Sequence, residues 1–510
     1  MGCLMNRNKA LLLVLLLASF SLAACSGAKT VCKVNCGGGG SATVSFTLVA
    51  DTLPANPSIL SFKVTIVGIT LTPTSGTAQT FTPNPALVVD LMRLQSDTTF
   101  LGTLSKVPSG SYTVQVSLSS PVMTFLNNTG STITANGVPC LNNSVCTATL
   151  TATGTPTISS FTFNAITSGL QGIEMDFNLN NAISLSGGTL AVNFNPPAPN
   201  PGVFTAFTLP RTNANLGTNQ LALIEDFTGV VGISGSTVTI TSPTRGVLSA
   251  TVTSSSFFDQ SPVPKNLCPS APNNCAAAGQ IASVDAFLKS DGTLELKEFE
   301  PLNATQQDFV EGTIYVVNGL SQFSIAVTDK VSATTNSLIG GLKTGDLLTV
   351  NIPIATIQPF FVDTKGLIVP PGAIGNFQGQ TDTTAIHPGQ TVFVHVTAFV
   401  AASGNTFAAA TADTVTLRWS RITATPAVPL SSTAFNITAI PSYFGFAQAN
   451  TFGVQIFTGT SGTDGVTNLD GILSGSPPAS SPAIAIRALF IENPGNTLSP
   501  AFFAAKVRQR

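Results

Sequence analysis

Ile59-Leu60-Ser61-Phe62-Lys63-Val64-Thr65-Ile66-Val67-Gly68-Ile69-Thr70-Leu71 decides the fold class of this chain. Through Ser61–Ile66 polar and apolar residues alternate, which is the period of a strand with one buried face. Upstream, Ala42-Thr43-Val44-Ser45-Phe46-Thr47-Leu48-Val49 carries the same pattern, and Asp51, Pro54 and Asn56-Pro57 break the two runs apart. Downstream, strands are predicted at Leu87–Leu91, Gly102–Leu104, Tyr112–Leu118, Ser159–Phe163, Ile173–Leu179 and Thr189–Phe194, with Pro108-Ser109-Gly110 as a tight turn.

Composition extends that reading to all 510 residues. Gly 44 and Pro 33 accompany many Thr, Ser, Val and Asn, while helix-favouring Glu, Lys and Arg are scarce. The expectation is an all-β protein of several domains, since 510 residues exceed one core. Only 9% of residues are charged and the net charge is −2, so a nucleic-acid partner is not expected.

Near the start, Arg7 and Lys9 precede the apolar run Ala10–Ala18, too short for a bilayer that needs ~20 apolar residues but suited to a signal-peptide core. Leu22-Ala23-Ala24-Cys25 then resembles a bacterial lipobox. The resemblance implies a signal peptide over 1–24, cleavage between Ala24 and Cys25, and acylation of Cys25, palmitate being a typical acyl group. Two or more acyl chains hold a protein stably on a membrane. With Ser26 where an inner-membrane retention signal would have Asp, the resemblance points to the outer membrane of the cell envelope. Residues 25–41, with Gly37-Gly38-Gly39-Gly40-Ser41, read as a flexible spacer.

Six further cysteines fall into three local couples: Cys32 with Cys36, Cys140 with Cys146, and Cys268 with Cys275. In an exported chain these are expected to be disulfides. Six cysteines allow fifteen connectivities, and the local one is the simplest. Neither the cysteines nor the two histidines, His387 and His395, have the spacing of a zinc site, so no metal or cofactor is expected. Thr463–Gly471 lacks the acidic twelfth position of a calcium loop.

Asp51-Thr52-Leu53-Pro54, Val64-Thr65-Ile66, Val89-Asp90-Leu91 and Val107-Pro108-Ser109-Gly110-Ser111-Tyr112-Thr113 together resemble an uncharacterised β-sandwich domain carried by bacterial envelope lipoproteins. That resemblance spans about 42–200, with Asp90 expected to cap a turn. After the joint Asn195–Pro201 a unit recurs. Its openings are Asp226–Val231, Asp308–Ile314 and, more weakly, Ala434–Ile440; its closings are hairpins at Val284–Leu296, Val396–Phe407 and Ile486–Leu498. This half loosely resembles small β-barrel repeats of envelope proteins, and three modules are expected as separate beads over 220–303, 306–425 and 433–510.

Chemistry is sparse in this pattern. A Gly-x-Ser-x-Gly elbow is missing, and Asp51, Asp90, Asp97, Asp176, Glu225 and Asp226 are scattered, although distant carboxylates can meet in space. In Leu417-Arg418-Trp419-Ser420-Arg421, Trp419 shares a face with Leu417 and either closes a core or stacks on a sugar. The expected function is therefore non-enzymatic: a membrane-anchored structural or interaction lipoprotein with an envelope protein as partner. Two alternatives are a glycan binder using Trp419, Tyr112 and Tyr443, and a hydrolase with an unrecognised carboxylate site.

Overall fold

The computed structural model describes residues 41–163, 171–196, 202–262, 276–303, 308–332, 336–353, 359–444, 452–459, 465–471, 483–491 and 501–509, apart from positions 52, 55, 120, 212, 214, 259–260, 405, 432 and 439. Cys25 and its cleavage site lie outside the described residues. So do two of the three expected disulfides, the one between Cys32 and Cys36 and the one between Cys268 and Cys275. No helix among the described residues is long and apolar enough to cross a membrane.

The predicted all-β architecture is present. Strand Ser41–Asp51 pairs in parallel with Gln171–Asn178 and antiparallel with Thr99–Pro108 in a four-stranded sheet. Ser58–Pro73, the run that decided the fold class, sits at the middle of a seven-stranded sheet between Gly110–Leu118 and Val122–Leu126. Phe46, Leu48 and Phe177 of the first sheet and Phe62, Val64 and Val114 of the second share one core, which makes a sandwich. Its expected end at residue 200 moves, because Phe204–Leu209 returns to pair with Gln171–Asn178 and buries Phe204 in the same core. Asp90 does cap its turn: Oδ1 accepts from the Met92 and Phe62 amides and Oδ2 from the Ser61 hydroxyl.

The second half holds three barrels of one topology. In the first, Gln220–Ser234 pairs with Thr237–Ser242 and Ile281–Lys289, Thr237–Ser242 with Gly246–Thr251, and Ile281–Lys289 with Leu294–Asn303. A parallel bridge between Gly246–Thr251 and Leu294–Asn303 closes the ring. In the second, the corresponding strands are Asp308–Val317, Gln322–Ser332, Leu347–Asn351, Thr391–Val400 and Ala408–Ser431, closed by a parallel pairing of third with fifth. In the third, the later part of Ala408–Ser431 acts as first strand, followed by Ala434–Thr438, Phe452–Ile456, Ile484–Phe490 and Phe502–Gln509, again with third and fifth parallel. Every ring runs third-second-first-fourth-fifth, a Greek-key barrel order shared with the OB-fold.

The predicted openings and closings land on these rings with one displacement, except that 492–498 of the third closing lie outside the described residues. Asp226–Val231 and Asp308–Ile314 lie on first strands, and a Cβ at Gly229 or Gly312 would strike the carbonyl of Thr241 or Ala326 on the second strand. Ala434–Ile440, however, opens on a second strand. The first strand of that ring is fused to the last strand of the preceding one, so its sequence carries no opening of its own. The expected break after residue 425 therefore falls within one 24-residue strand.

Nor are the modules separate beads. Residues Ser41–Arg510 form one compact unit. Leu60 of the sandwich joins a core with Ile422, Phe435 and Phe444 of the third barrel. Between the first and second barrels, Ile281, Phe309, Val331 and Phe393 pack together, with Phe309 stacked on Phe393 at 4.6 Å. Neutral hydrogen bonds such as Thr124 Oγ1 to the Gly345 carbonyl add to these contacts, and a large share of the rest is ionic.

Candidate functional site

On a barrel strand one face fills the barrel and the other normally meets water. Here the outer faces meet each other. Along Leu417–Arg421, Leu417 and Trp419 enter the second barrel's core while Arg418 and Ser420 face away, yet all four are buried. Arg418 instead reaches Glu300 at 3.1 Å, Asp226 at 3.5 Å and Asp363.

Following such pairs outward, each at 4.0 Å or less, gives one connected network. Its acids are Asp97, Glu225, Asp226, Asp285, Glu298, Glu300, Glu311, Asp329, Asp363 and Asp470, and its bases are Arg93, Arg245, Lys297, Lys365, Arg418, Arg421, Arg487, Lys506 and Arg508. A chain with only 21 Lys and Arg thus spends nine of them at one interior junction.

Asp226 is its hub. Lys365 Nζ lies at 2.6 Å, Arg421 Nη2 and Arg487 Nη1 at 3.0 Å, and Arg418 Nη2 at 3.5 Å. The residue sits at a register shift between Gln220–Ser234 and Ile281–Lys289 with φ of +49°, a left-handed conformation that Asp tolerates better than most. The bulge leaves the Asp226 amide free to donate to Asp285 Oδ1 at 2.9 Å. Its carbonyl accepts from Arg245 at 2.7 Å.

The sandwich enters through the short turn that Asp90 shapes. Arg93 contacts Glu311 at 2.7 Å and Asp329 at 3.4 Å, both from the second barrel. Asp97 accepts from Arg421 Nε at 2.7 Å. In return, Arg508 of the last strand donates to the carbonyls of Leu94, Gln95 and Asp97 and to Thr98 Oγ1.

Burial alone would favour the neutral form of every carboxylate here. At Asp226 it is more than offset by Lys365, Arg487, Arg418 and Arg421, which hold the carboxyl well below the usual range. At Asp285 burial is likewise outweighed, by Lys365, Lys297 and Arg487, and the carboxyl titrates at about 2. Glu300 goes the other way. Burial, together with the neighbouring Asp363 carboxylate, pushes it well above the ordinary glutamate value despite Arg418. Ten acids thus face nine bases at the junction.

Of the six scattered acids, Asp97, Glu225 and Asp226 therefore do converge, but onto cations, while Asp51, Asp90 and Asp176 lie outside the junction. The junction's cavity is about 30 Å³, lined by Glu225, Asp285, Lys297, Glu298, Lys365 and Asn468 among others, room for water but not for a sugar. Among the described residues no group of three His, Cys, Asp or Glu is placed to hold a metal ion.

The three aromatics expected to bind a ligand are all inside: Trp419 is 0% exposed, Tyr112 3% and Tyr443 5%. Trp419 fills the second barrel, Tyr112 donates its hydroxyl to the Pro108 carbonyl at 2.6 Å, and Tyr443 stacks on Phe444. No sugar-stacking platform is left at these positions, because each ring is packed into a core. Of the expected cysteine couples, Cys140 and Cys146 are joined as a disulfide. Cys32 and Cys36, like Cys268 and Cys275, fall outside the described residues, so those two pairings remain expectations of the sequence. His395, which the sequence offered as no zinc ligand, pairs with a carboxylate: its Nδ1 lies 2.5 Å from Asp413 Oδ1 on the adjoining strand.

Comparison with protein-family models, with curated proteins and with solved structures finds no match for the chain.

Proposed function

We propose that this protein is a non-enzymatic, lipid-anchored lipoprotein of the cell envelope, held at the outer membrane through Cys25, whose role is structural or interactive. The buried ionic junction carries the structural part of that reading. It commits the chain's scarce charges to holding one sandwich and three barrels together, leaving its carboxylates neutralised by arginine and lysine rather than open to a substrate. The anchor rests on Leu22-Ala23-Ala24-Cys25, and the Cys140–Cys146 disulfide suits an oxidising compartment outside the cytosol. On the second barrel, Val400 and Phe407 stand exposed at the ends of a hairpin, where an envelope protein partner could be met.

The test is metabolic labelling with a palmitate analogue and membrane fractionation. Wild-type protein is expected in the membrane fraction with label, and Cys25→Ser in the soluble fraction without it. Unlabelled protein that still fractionates with membranes would overturn the anchor. Turnover of any member of a polysaccharide and ester panel by the purified chain, abolished by a single carboxylate substitution, would overturn the non-enzymatic reading.

A further inference from the structure

One corner of the junction holds a set of groups that an ion pair does not require. Lys506 and Asn468 are registered partners on parallel strands, Phe502–Gln509 and Asn468–Asp470, so their side chains leave the sheet on one face. Glu225, from the first barrel, touches both. Its Oε2 lies 2.5 Å from Lys506 Nζ, and its Oε1 accepts from Asn468 Nδ2 at 3.3 Å. All three are buried. On the far side of the Asn468 amide, Oδ1 accepts from Asn215 Nδ2 at 3.2 Å.

An amine, a carboxamide, a carboxylate bridging them and a donor on the amide oxygen are the parts of an acyl-transfer site. We propose that Lys506 and Asn468 join as an intramolecular isopeptide bond, with Glu225 carrying the protons and Asn215 steadying the oxygen. Glu225 takes a proton from the Lys506 ammonium, and the free amine attacks Asn468 Cγ. Negative charge gathers on Oδ1, against the Asn215 amide. The protonated Glu225 then delivers its proton to Nδ2, the Cγ–Nδ2 bond breaks, and ammonia leaves carrying the surplus proton as ammonium. The reaction needs no oxidant and no external reagent.

Surroundings favour the step. Burial and the neighbouring Arg508 cation lower the proton affinity of Lys506, which eases formation of the nucleophile. The 30 Å³ cavity is lined by Asn215, Glu225 and Asn468, and it has room for a released molecule the size of water. Lys365 makes an internal contrast. It too is buried and paired, but its partners Asp226, Asp285 and Glu300 are all carboxylates and offer no amide to displace, so it remains an ion pair. The bond would tie the short Asn468–Asp470 strand to the last strand of the third barrel.

Tryptic peptide mass spectrometry of the folded full-length chain tests this directly. The expected product is a branched peptide joining the Lys506 and Asn468 segments, lighter than the two together by one ammonia, about 17 Da. Glu225→Gln should abolish the branch. Asn468→Ala, which keeps the Lys506–Glu225 pair and so the fold, should return both segments as linear peptides. Asn468→Asp should restore the same branch by loss of water. Folded wild-type protein yielding only linear peptides, or a branch from Lys506 to Glu225, would overturn the assignment.

Discussion

The two faces of Leu417–Arg421 sit in opposite kinds of interior. On one, Leu417 and Trp419 fill an apolar barrel core; on the other, Arg418 lies among Asp226, Glu300 and Asp363, and where the strand passes into the third barrel Arg421 joins the same cluster through Asp97, Asp226 and Glu311. Both are shut off from water, yet they should fail differently. An apolar core loses in proportion to the atoms removed. A buried ionic cluster is nearly indifferent to its summed pairs, because desolvation offsets attraction, but it suffers sharply when one partner goes and leaves charge uncompensated. The barrels should therefore set how stable each module is, and the junction whether the modules stay together.

Asp226→Asn should have the largest effect. It keeps shape and tolerance of the left-handed backbone while depriving Lys365, Arg418, Arg421 and Arg487 of their shared counter-charge, at a cost of about 4 kcal/mol in urea unfolding. A loss below about 1 kcal/mol would mean the junction is wetter than it looks. Leu417→Ala, on the apolar side of the same strand, should cost about 3 kcal/mol. Hydrogen exchange should separate the two: the core variant loosens the second barrel, whereas Asp226→Asn loosens the contacts between barrels.

Acid comes next. Asp285 falls from an ordinary 3.8 to about 2 on folding, so its contribution is complete above pH 3.8 and is lost as pH drops through 2. The shift corresponds to about 2 kcal/mol. Unfolding curves of wild type and Asp285→Asn should converge toward pH 2 and stand apart at pH 6; parallel curves throughout would remove Asp285 from the linkage. Glu300→Gln should have the smallest effect. Because the folded-state value of Glu300 is raised, its neutral form stabilises the fold below the unfolded value, and that stability is lost as pH rises through the folded one. The glutamine variant should match wild type within about 0.5 kcal/mol where Glu300 is protonated, and should decline less on the alkaline side.

How far the sequence could be read follows the same division. Strand period and turn residues gave the sandwich strands and the first two closing hairpins, because these depend on local alternation, whereas the Asp90 turn came from a family resemblance. The Cys140–Cys146 pairing was legible as well, six residues apart in a turn-rich stretch. The junction was not. Asp285 between Val284 and Ala286, Arg487 between Ile486 and Ala488, and Lys506 and Arg508 around Val507 read as ordinary outward residues, since alternation says that a face is outside its own barrel but not what covers it. The available signal was scarcity: where only 9% of residues are charged, several placed alone between core residues on late strands are worth explaining together.

One strand makes the coupling mechanical as well as electrostatic. Ala408–Ser431 is the last stave of the second barrel and the first of the third. Two barrels sharing a stave have no linker in which to store slack or hinge. A pulling experiment across residues 308–509 should record a single rip for the pair, and neither half should be expressible without its neighbour.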